Sequence, residues 1–157
     1  MNSILLVCLG NICRSPMAEG VVRRALDGSG LDHIRTDSAG TSGWHAGGPP
    51  DPRAVKAALM RDIDIAGQRA RQVEAGDFSN FDIIAAMDGD NYSRLRALQP
   101  EGSTARVHMF LEFAGELPVR DIPDPYYGGE AGFDHALDLI ELAANGLVGH
   151  IAARARG

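Results

Sequence analysis

The amino-acid sequence predicts an α/β fold: a four-stranded parallel twisted sheet with helices on both faces, a flavodoxin-like or Rossmann-like three-layer sandwich. Three observations carry this reading. Four apolar runs of strand length alternate with segments of helical periodicity. Several of those runs are continuous rather than alternating, as in strands buried on both faces. The chain has 157 residues, about one domain's length and enough to bury a sizeable core, so a single domain over residues 1–157 is expected.

Taken in order, Ser3 to Val7 reads as a fully buried strand. Met17 to Leu26 follows as a helix with Val21, Val22, Ala25 and Leu26 at near-helical spacing, stopped by Gly28 and Gly30. Ile34 to Ser38 is a short second strand. The glycine- and proline-rich stretch from Ala39 to Pro52 is embedded between elements and reads either as a loop lining the site or as a plain connection. Pro52 opens a helix whose apolar face is expected to run through Val55, Ala58 and Leu59. Phe81 to Met87 is the third strand, a helix surrounds Tyr92 to Leu98, and Val107 to Leu111 is the fourth strand. A last helix from about Gly132 to Ala153 offers Phe133, Leu137, Ile140, Leu142 (or Ala144), Leu147 and Ile151 to the core.

Composition excludes several function classes. A net charge of −6 argues against a general binder of nucleic acid or anionic membrane, which needs a basic face. No apolar run of membrane length and no basic n-region precede the first strand, so a cytoplasmic location is expected. Two cysteines in one loop fit a reducing compartment and no disulfide framework. The sequence lacks a Gly-x-Gly-x-x-Gly, its only lysine, Lys56, lies in no Walker-type loop, and the dispersed histidines have no zinc-ligand spacing. His45 and His108 therefore read as ordinary surface or packing residues.

The informative stretch is Cys8-Leu9-Gly10-Asn11-Ile12-Cys13-Arg14-Ser15-Pro16. The bare Cys-x5-Arg spacing is weak, but here it joins a strand to a helix. Such a loop gathers backbone N–H groups at one spot, and the helix N-terminus adds its positive partial charge. A thiol there is placed to act as a nucleophile, and an arginine at its edge can grip two oxygens of a tetrahedral oxyanion. Gly10 and Asn11 are residue types that enter the left-handed region most easily. Pro16 suits a first helical turn. Beyond the carboxyl end of a strand is also where such folds bind ligands. The joint reading is phosphoryl transfer to cysteine. A departing oxygen then needs a proton, and Asp124, held between Pro123 and Pro125 beside Tyr126 and Tyr127, is the best placed donor.

Together these residues resemble the low-molecular-weight protein tyrosine phosphatase family, in its bacterial type. Val7 to Pro16 resembles the signature loop, Asp37 to Thr41 a second-strand motif, Ala70-Arg71-Gln72 a midchain motif, Phe81 to Asp88 the segment ending in Met-Asp, and Asp124 to Gly128 the acid loop. The resemblance implies Cys8 as nucleophile and Arg14 with the backbone of Leu9, Gly10, Asn11, Ile12 and Cys13 as the phosphate cradle. It implies Ser15 as donor to the Cys8 sulfur and Asp124 as general acid and base. Asn11 would hold the loop's strained shape, joined in one hydrogen-bond network by Ser38 and Asp88. Trp44, Tyr126 and Tyr127, with Ile12, would enclose an aromatic substrate. No metal and no cofactor is implied. The partners implied are phosphotyrosine proteins, a bacterial tyrosine kinase of polysaccharide export among them, met by a monomer. Many family members carry a histidine where Gln68 stands, and the amide is expected to hold the loop without that histidine's pH response. Oxidation could join Cys8 to Cys13, or Cys13 could be a small apolar loop residue.

Three rivals remain. An arsenate reductase on this fold is disfavoured, because no further cysteine lies downstream to resolve its intermediate. A phosphoarginine phosphatase would carry threonine where Ile12 stands. A silent phosphopeptide-binding module would have lost Cys8 or Asp124.

Overall fold

Ser3–Cys8 forms β1, and all six residues are buried. Period-two alternation sends Ile4, Leu6 and Cys8 into one apolar cluster and Leu5 and Val7 into another. β1 is therefore covered on both faces, which is why its sequence is continuously apolar. The structure, a computed structural model, describes residues 3–156, and side chains through residue 154.

Around β1 the chain adds α1 (Arg14–Gly28), β2 (Arg35–Gly40), α2 (Pro52–Leu59), the single turn α3 (Asp77–Asn80), β3 (Ile83–Ala86), α4 (Gly89–Leu98), β4 (Arg106–Met109) and α5 (Gly129–Arg156). The sheet order is β2-β1-β3-β4 with every pair parallel. The predicted class and strand number are thus observed. Leu26, Ala58, Phe133 and Leu137, from α1, α2 and α5, fill one face. Phe78 of α3 and Leu95 of α4 fill the other. β2 and β3 flank β1 on opposite sides, so the chain reverses its direction of winding there. The crevice outside the carboxyl ends of β1 and β3 is where this topology opens a site, and Cys8 and Asp88 stand at those two ends.

Three local expectations are corrected, and one alternative is decided. α1 starts at Arg14, three residues before Met17, which puts the arginine itself in the first turn. The run Val107 to Leu111 leaves the sheet after Met109: Phe110–Ala114 winds into a 3-10 helix, burying Phe110 and Leu111 in the α5 cluster. β4 is an edge strand, so nothing beyond it pairs to prolong the ladder. In α2 the buried face is Ala54, Ala57 and Ala58, whereas Leu59 is half exposed, because only small side chains fit where α2 meets α1 and α5. In α5, Ala144 is buried and Leu142 faces out. α5 is long and apolar enough to cross a membrane by length and composition, but it is a core helix, with Phe133, Leu137, Ile140, Leu147 and Ile151 buried.

α5 approaches the 3-10 turn at Gly146. A Cβ there would lie 1.6 Å from the Phe113 carbonyl oxygen, an overlap with backbone that no rotamer relieves. Helix propensity alone would favour alanine at this helical position by about 1 kcal/mol. The overlap decides the sign: Gly146→Ala should destabilise by about 3 kcal/mol, measured by denaturant unfolding, and a neutral result would show that the two elements can separate freely.

Candidate active site

The loop after β1 is bent by Asn11, whose φ of 56° is left-handed, while Gly10 keeps a negative φ, contrary to expectation. Gly10 serves by its size instead: a Cβ would meet His45 Cδ2 at 3.1 Å. Asn11 holds its strained turn through all three of its amide bonds. Nδ2 donates to Ser15 Oγ at 2.7 Å and to Ser38 Oγ at 3.0 Å, and Oδ1 accepts from the Arg71 backbone N–H at 3.0 Å. Ser38 Oγ donates onward to Glu19 Oε1 at 2.7 Å. Ser15 Oγ, accepting from Asn11, also lies 3.0 Å from Cys8 Sγ and 3.5 Å from the Ala39 carbonyl, and either it or the thiol can supply the hydrogen between them. The Asn11 backbone N–H donates to the same sulfur at 3.3 Å. Cys8 Sγ therefore has one backbone donor and a hydroxyl within hydrogen-bond distance, close to the start of α1, which no side chain caps.

The Arg14 side chain is 3 % exposed. Nη1 donates to Asp88 Oδ2 at 2.7 Å and to the Ile122 carbonyl at 2.9 Å, and Nη2 faces Asp124 Oδ2 at 3.7 Å. Burial opposes the guanidinium's charge, but Cys8, Asp88 and Asp124 outweigh it and raise its pKa above the ordinary arginine value. Asp88 thus corrects one expectation: it braces Arg14 and caps α4, accepting from Asn91 N, and makes no bond to Asn11. Gln68 likewise donates to the Pro16 carbonyl at 3.0 Å, tying its loop to α1.

Asp124 caps the short 3-10 turn Pro125–Tyr127, accepting from the Tyr126 N–H at 3.1 Å. It closes one side of a cavity of about 200 Å³ whose floor is Cys8, Cys13 and Arg14 and whose walls include Ile12. Trp44, Tyr126 and Tyr127 rim the mouth and are 80, 38 and 93 % exposed. Trp44 is therefore no core anchor, and the stretch from Ala39 to Pro52 does line the site. Asn11, Ser15, Ser38 and Asp88 support the pocket from behind and do not line it. Cys13 is buried in the core cluster; burial first, then Asp51 and Cys8, push its thiol's pKa up. Both cysteines are free. A larger groove, about 1000 Å³, lies between α4 and the Phe110–Ala114 3-10 helix with the segment after it, and holds none of these residues.

Sequence reading passed over two residues here. His45, taken as ordinary surface, lies on Gly10 at the pocket mouth. Arg53 forks onto Asp51 and reaches the Tyr126 carbonyl. Neither carries a linear signal beyond its place, His45 in the loop after β2 and Arg53 in the first turn of α2. His108, by contrast, makes an ordinary surface pair with Glu112. No cluster able to hold a metal ion exists among the described residues.

Comparison with known proteins agrees with this geometry. Residues 3–156 match the family described as low molecular weight phosphotyrosine protein phosphatase. The low molecular weight phosphotyrosine protein phosphatase of Schizosaccharomyces pombe is 42 % identical over 145 residues, covering 90 % of this chain and 92 % of that one. The crystal structure of a protein tyrosine phosphatase from Entamoeba histolytica, with Hepes in its active site, superposes with a TM-score of 0.93 at 37 % identity, covering 98 and 99 % of the two chains. A Drosophila arginine phosphatase is similar in structure at 30 % identity, with a TM-score of 0.90 over 96 % of this chain and 98 % of that one. The chain belongs to the low molecular weight phosphotyrosine protein phosphatase family. It is a protein-tyrosine-phosphatase.

Glu19 sits half-buried behind the loop, and burial, reinforced by the neighbouring Asp37, raises its pKa. A raised folded value means that the native state holds the proton more tightly, so the ionised carboxylate costs stability above that value. Glu19→Gln keeps an acceptor for Ser38. It should raise the thermal midpoint at pH 8, and the gain should close as pH falls below the ordinary glutamate range. Thermal melts across pH check this, and a loss of stability at pH 8 would refute it.

Proposed function

We propose that this phosphatase works through a phosphocysteine intermediate on Cys8, with Arg14 binding the phosphate and Asp124 as general acid and then base. The observation that carries the reading is that Cys8, Arg14 and Asp124 line one small cavity with an aromatic mouth. In the first step the Cys8 thiolate attacks phosphorus, the S–P bond forms, the P–O bond to the phenol breaks, and protonated Asp124 gives its proton to the leaving oxygen. In the second, Asp124 takes a proton from water, the water oxygen attacks phosphorus, and the S–P bond breaks to return thiolate and inorganic phosphate. The loop amides of Leu9 to Arg14 and the Arg14 guanidinium are preorganised donors for the equatorial oxygens of both transition states.

Phosphotyrosine in proteins, and small aryl phosphates, fit the site as reactants. The exposed rings of Trp44, Tyr126 and Tyr127 can cover a phenol ring, and a phosphoserine would leave them in water. Ile12, an apolar wall residue, favours an aryl group over the charged guanidinium of phosphoarginine. A cytoplasmic location is part of this proposal, supported by two cysteines with no disulfide framework, and a tyrosine kinase of polysaccharide export is the partner class that the family resemblance suggests.

Cys8→Ser should abolish turnover, to below about 10⁻³ of the parent rate, while inorganic phosphate still binds; a variant that turns over normally would sink the mechanism. Side-by-side rates on phosphotyrosine, phosphoserine and phosphoarginine peptides should favour the first by at least about tenfold. Preference for phosphoarginine would transfer the chain to the other reading.

A further inference from the structure

We propose that Arg53 is a positioning residue that sets the reach of Asp124, by tying the turn that carries Asp124 to the loop that carries Cys8. This rests on the reading of Asp124 as the acid. Two sides of the cavity come from segments more than a hundred residues apart, and beside the Arg14 bond to the Ile122 carbonyl a second hydrogen-bonded chain crosses between them, at Tyr126. The Ile12 carbonyl, in the loop between Cys8 and Arg14, accepts from the Asp51 N–H at 2.8 Å. The Asp51 carboxylate takes a two-pronged grip from Arg53, Nε to Oδ1 at 3.0 Å and Nη2 to Oδ2 at 2.8 Å. Arg53 Nη1 then donates to the Tyr126 carbonyl at 2.8 Å.

Tyr126 is the link that matters. Its own N–H donates to Asp124 Oδ1 at 3.1 Å, so one residue is gripped through its carbonyl by Arg53 and grips Asp124 through its amide. Oδ2 is the oxygen left facing Arg14. The guanidinium also lies over two rings, 5.2 Å from the Tyr126 centroid and 5.1 Å from that of Phe133 in α5, which fixes its plane. The turn bearing Asp124 is only three residues long and largely exposed, with no buried side chain except Pro125. Core packing alone does not hold it at one distance from Cys8. A planar fork that satisfies Asp51 with two nitrogens and Tyr126 with a third does so; an ammonium on a flexible stem cannot match that geometry.

Simple loss of fold is separable from this role. The Arg53 backbone N–H, which caps α2 by donating to Asp51 Oδ1 at 2.8 Å, survives any substitution except proline. In Arg53→Lys the Asp51 carboxylate also keeps a cation. The test compares kcat/KM of Arg53→Ala and Arg53→Lys on phenyl phosphate and on p-nitrophenyl phosphate, with the inhibition constant of inorganic phosphate and the thermal midpoint. Proton donation matters most for the poorer leaving group. Both variants should lose about tenfold on phenyl phosphate, no more than about threefold on p-nitrophenyl phosphate, and bind phosphate within about twofold of the parent. On an Asp124→Ala background, Arg53→Lys should change neither rate further. Should Arg53→Ala melt below assay temperature, Arg53→Lys carries the test alone. Equal losses on both substrates, weaker phosphate binding in step with the rate, or a further loss on the Asp124→Ala background would overturn the proposal. If Asp124→Ala by itself treats the two leaving groups alike, the acid assignment falls, and the latch with it.

Discussion

Asn11 holds a conformation that an L-residue adopts at a cost, and its side-chain amide offsets that cost by using every hydrogen-bonding group it has. Both Nδ2 hydrogens go to serine hydroxyls and Oδ1 takes a backbone N–H. Each bond reaches a different part of the chain: the first turn of α1, strand β2 and the segment after α2. The left-handed turn is thereby made part of the core's polar scaffold, and the loop cannot relax without leaving buried polar groups unpaired. The bend of the loop between Cys8 and Arg14 depends on this one residue. The Ser15 hydroxyl is held 3.0 Å from the Cys8 sulfur while accepting from Asn11, and Ser38, accepting from the same amide, donates to Glu19.

A second tier of contacts sets the charges. Arg14 is almost wholly buried, and a buried guanidinium demands partners. Asp88, at the carboxyl end of β3, and the Ile122 carbonyl supply them while leaving Nη2 toward the cavity. The sheet makes this possible: β1 and β3 are neighbours, so the residues just beyond them converge. Gly40 permits the close approach of β2's end, since a Cβ there would meet the Leu9 carbonyl at 2.7 Å. Fold and site are joined by backbone contacts of this kind, more than by side-chain packing around the pocket.

Much was legible in the residues themselves. The apolar run of β1, the loop with cysteine and arginine six apart, and the aspartate between prolines are local patterns with local physical causes. They carried the fold class, the cavity's three central groups and the family. Aromatic residues in exposed turns were legible as a type, and Trp44, expected at the pocket, stands at its rim. Boundaries were less legible: the helical start at Arg14 depends on how the loop closes, and the end of β4 depends on an absent neighbouring strand. The alanine face of α2 was misread because hydrophobicity ranks side chains by transfer energy, while close helix contacts select by size.

By itself, then, the sequence determined the family and the architecture, because the loop from Cys8 to Arg14 and the turn at Asp124 are each short motifs whose backbone preferences are intrinsic. The tertiary structure alone decided who holds whom. Asp88 braces Arg14 rather than Asn11, Ile122 accepts from an arginine 108 residues away, and Arg53 bridges two loops that have no sequence relation. Hydrogen-bond partners are chosen by distance and direction in space. Polar side chains with many candidates along the chain leave no periodicity from which that choice could be read.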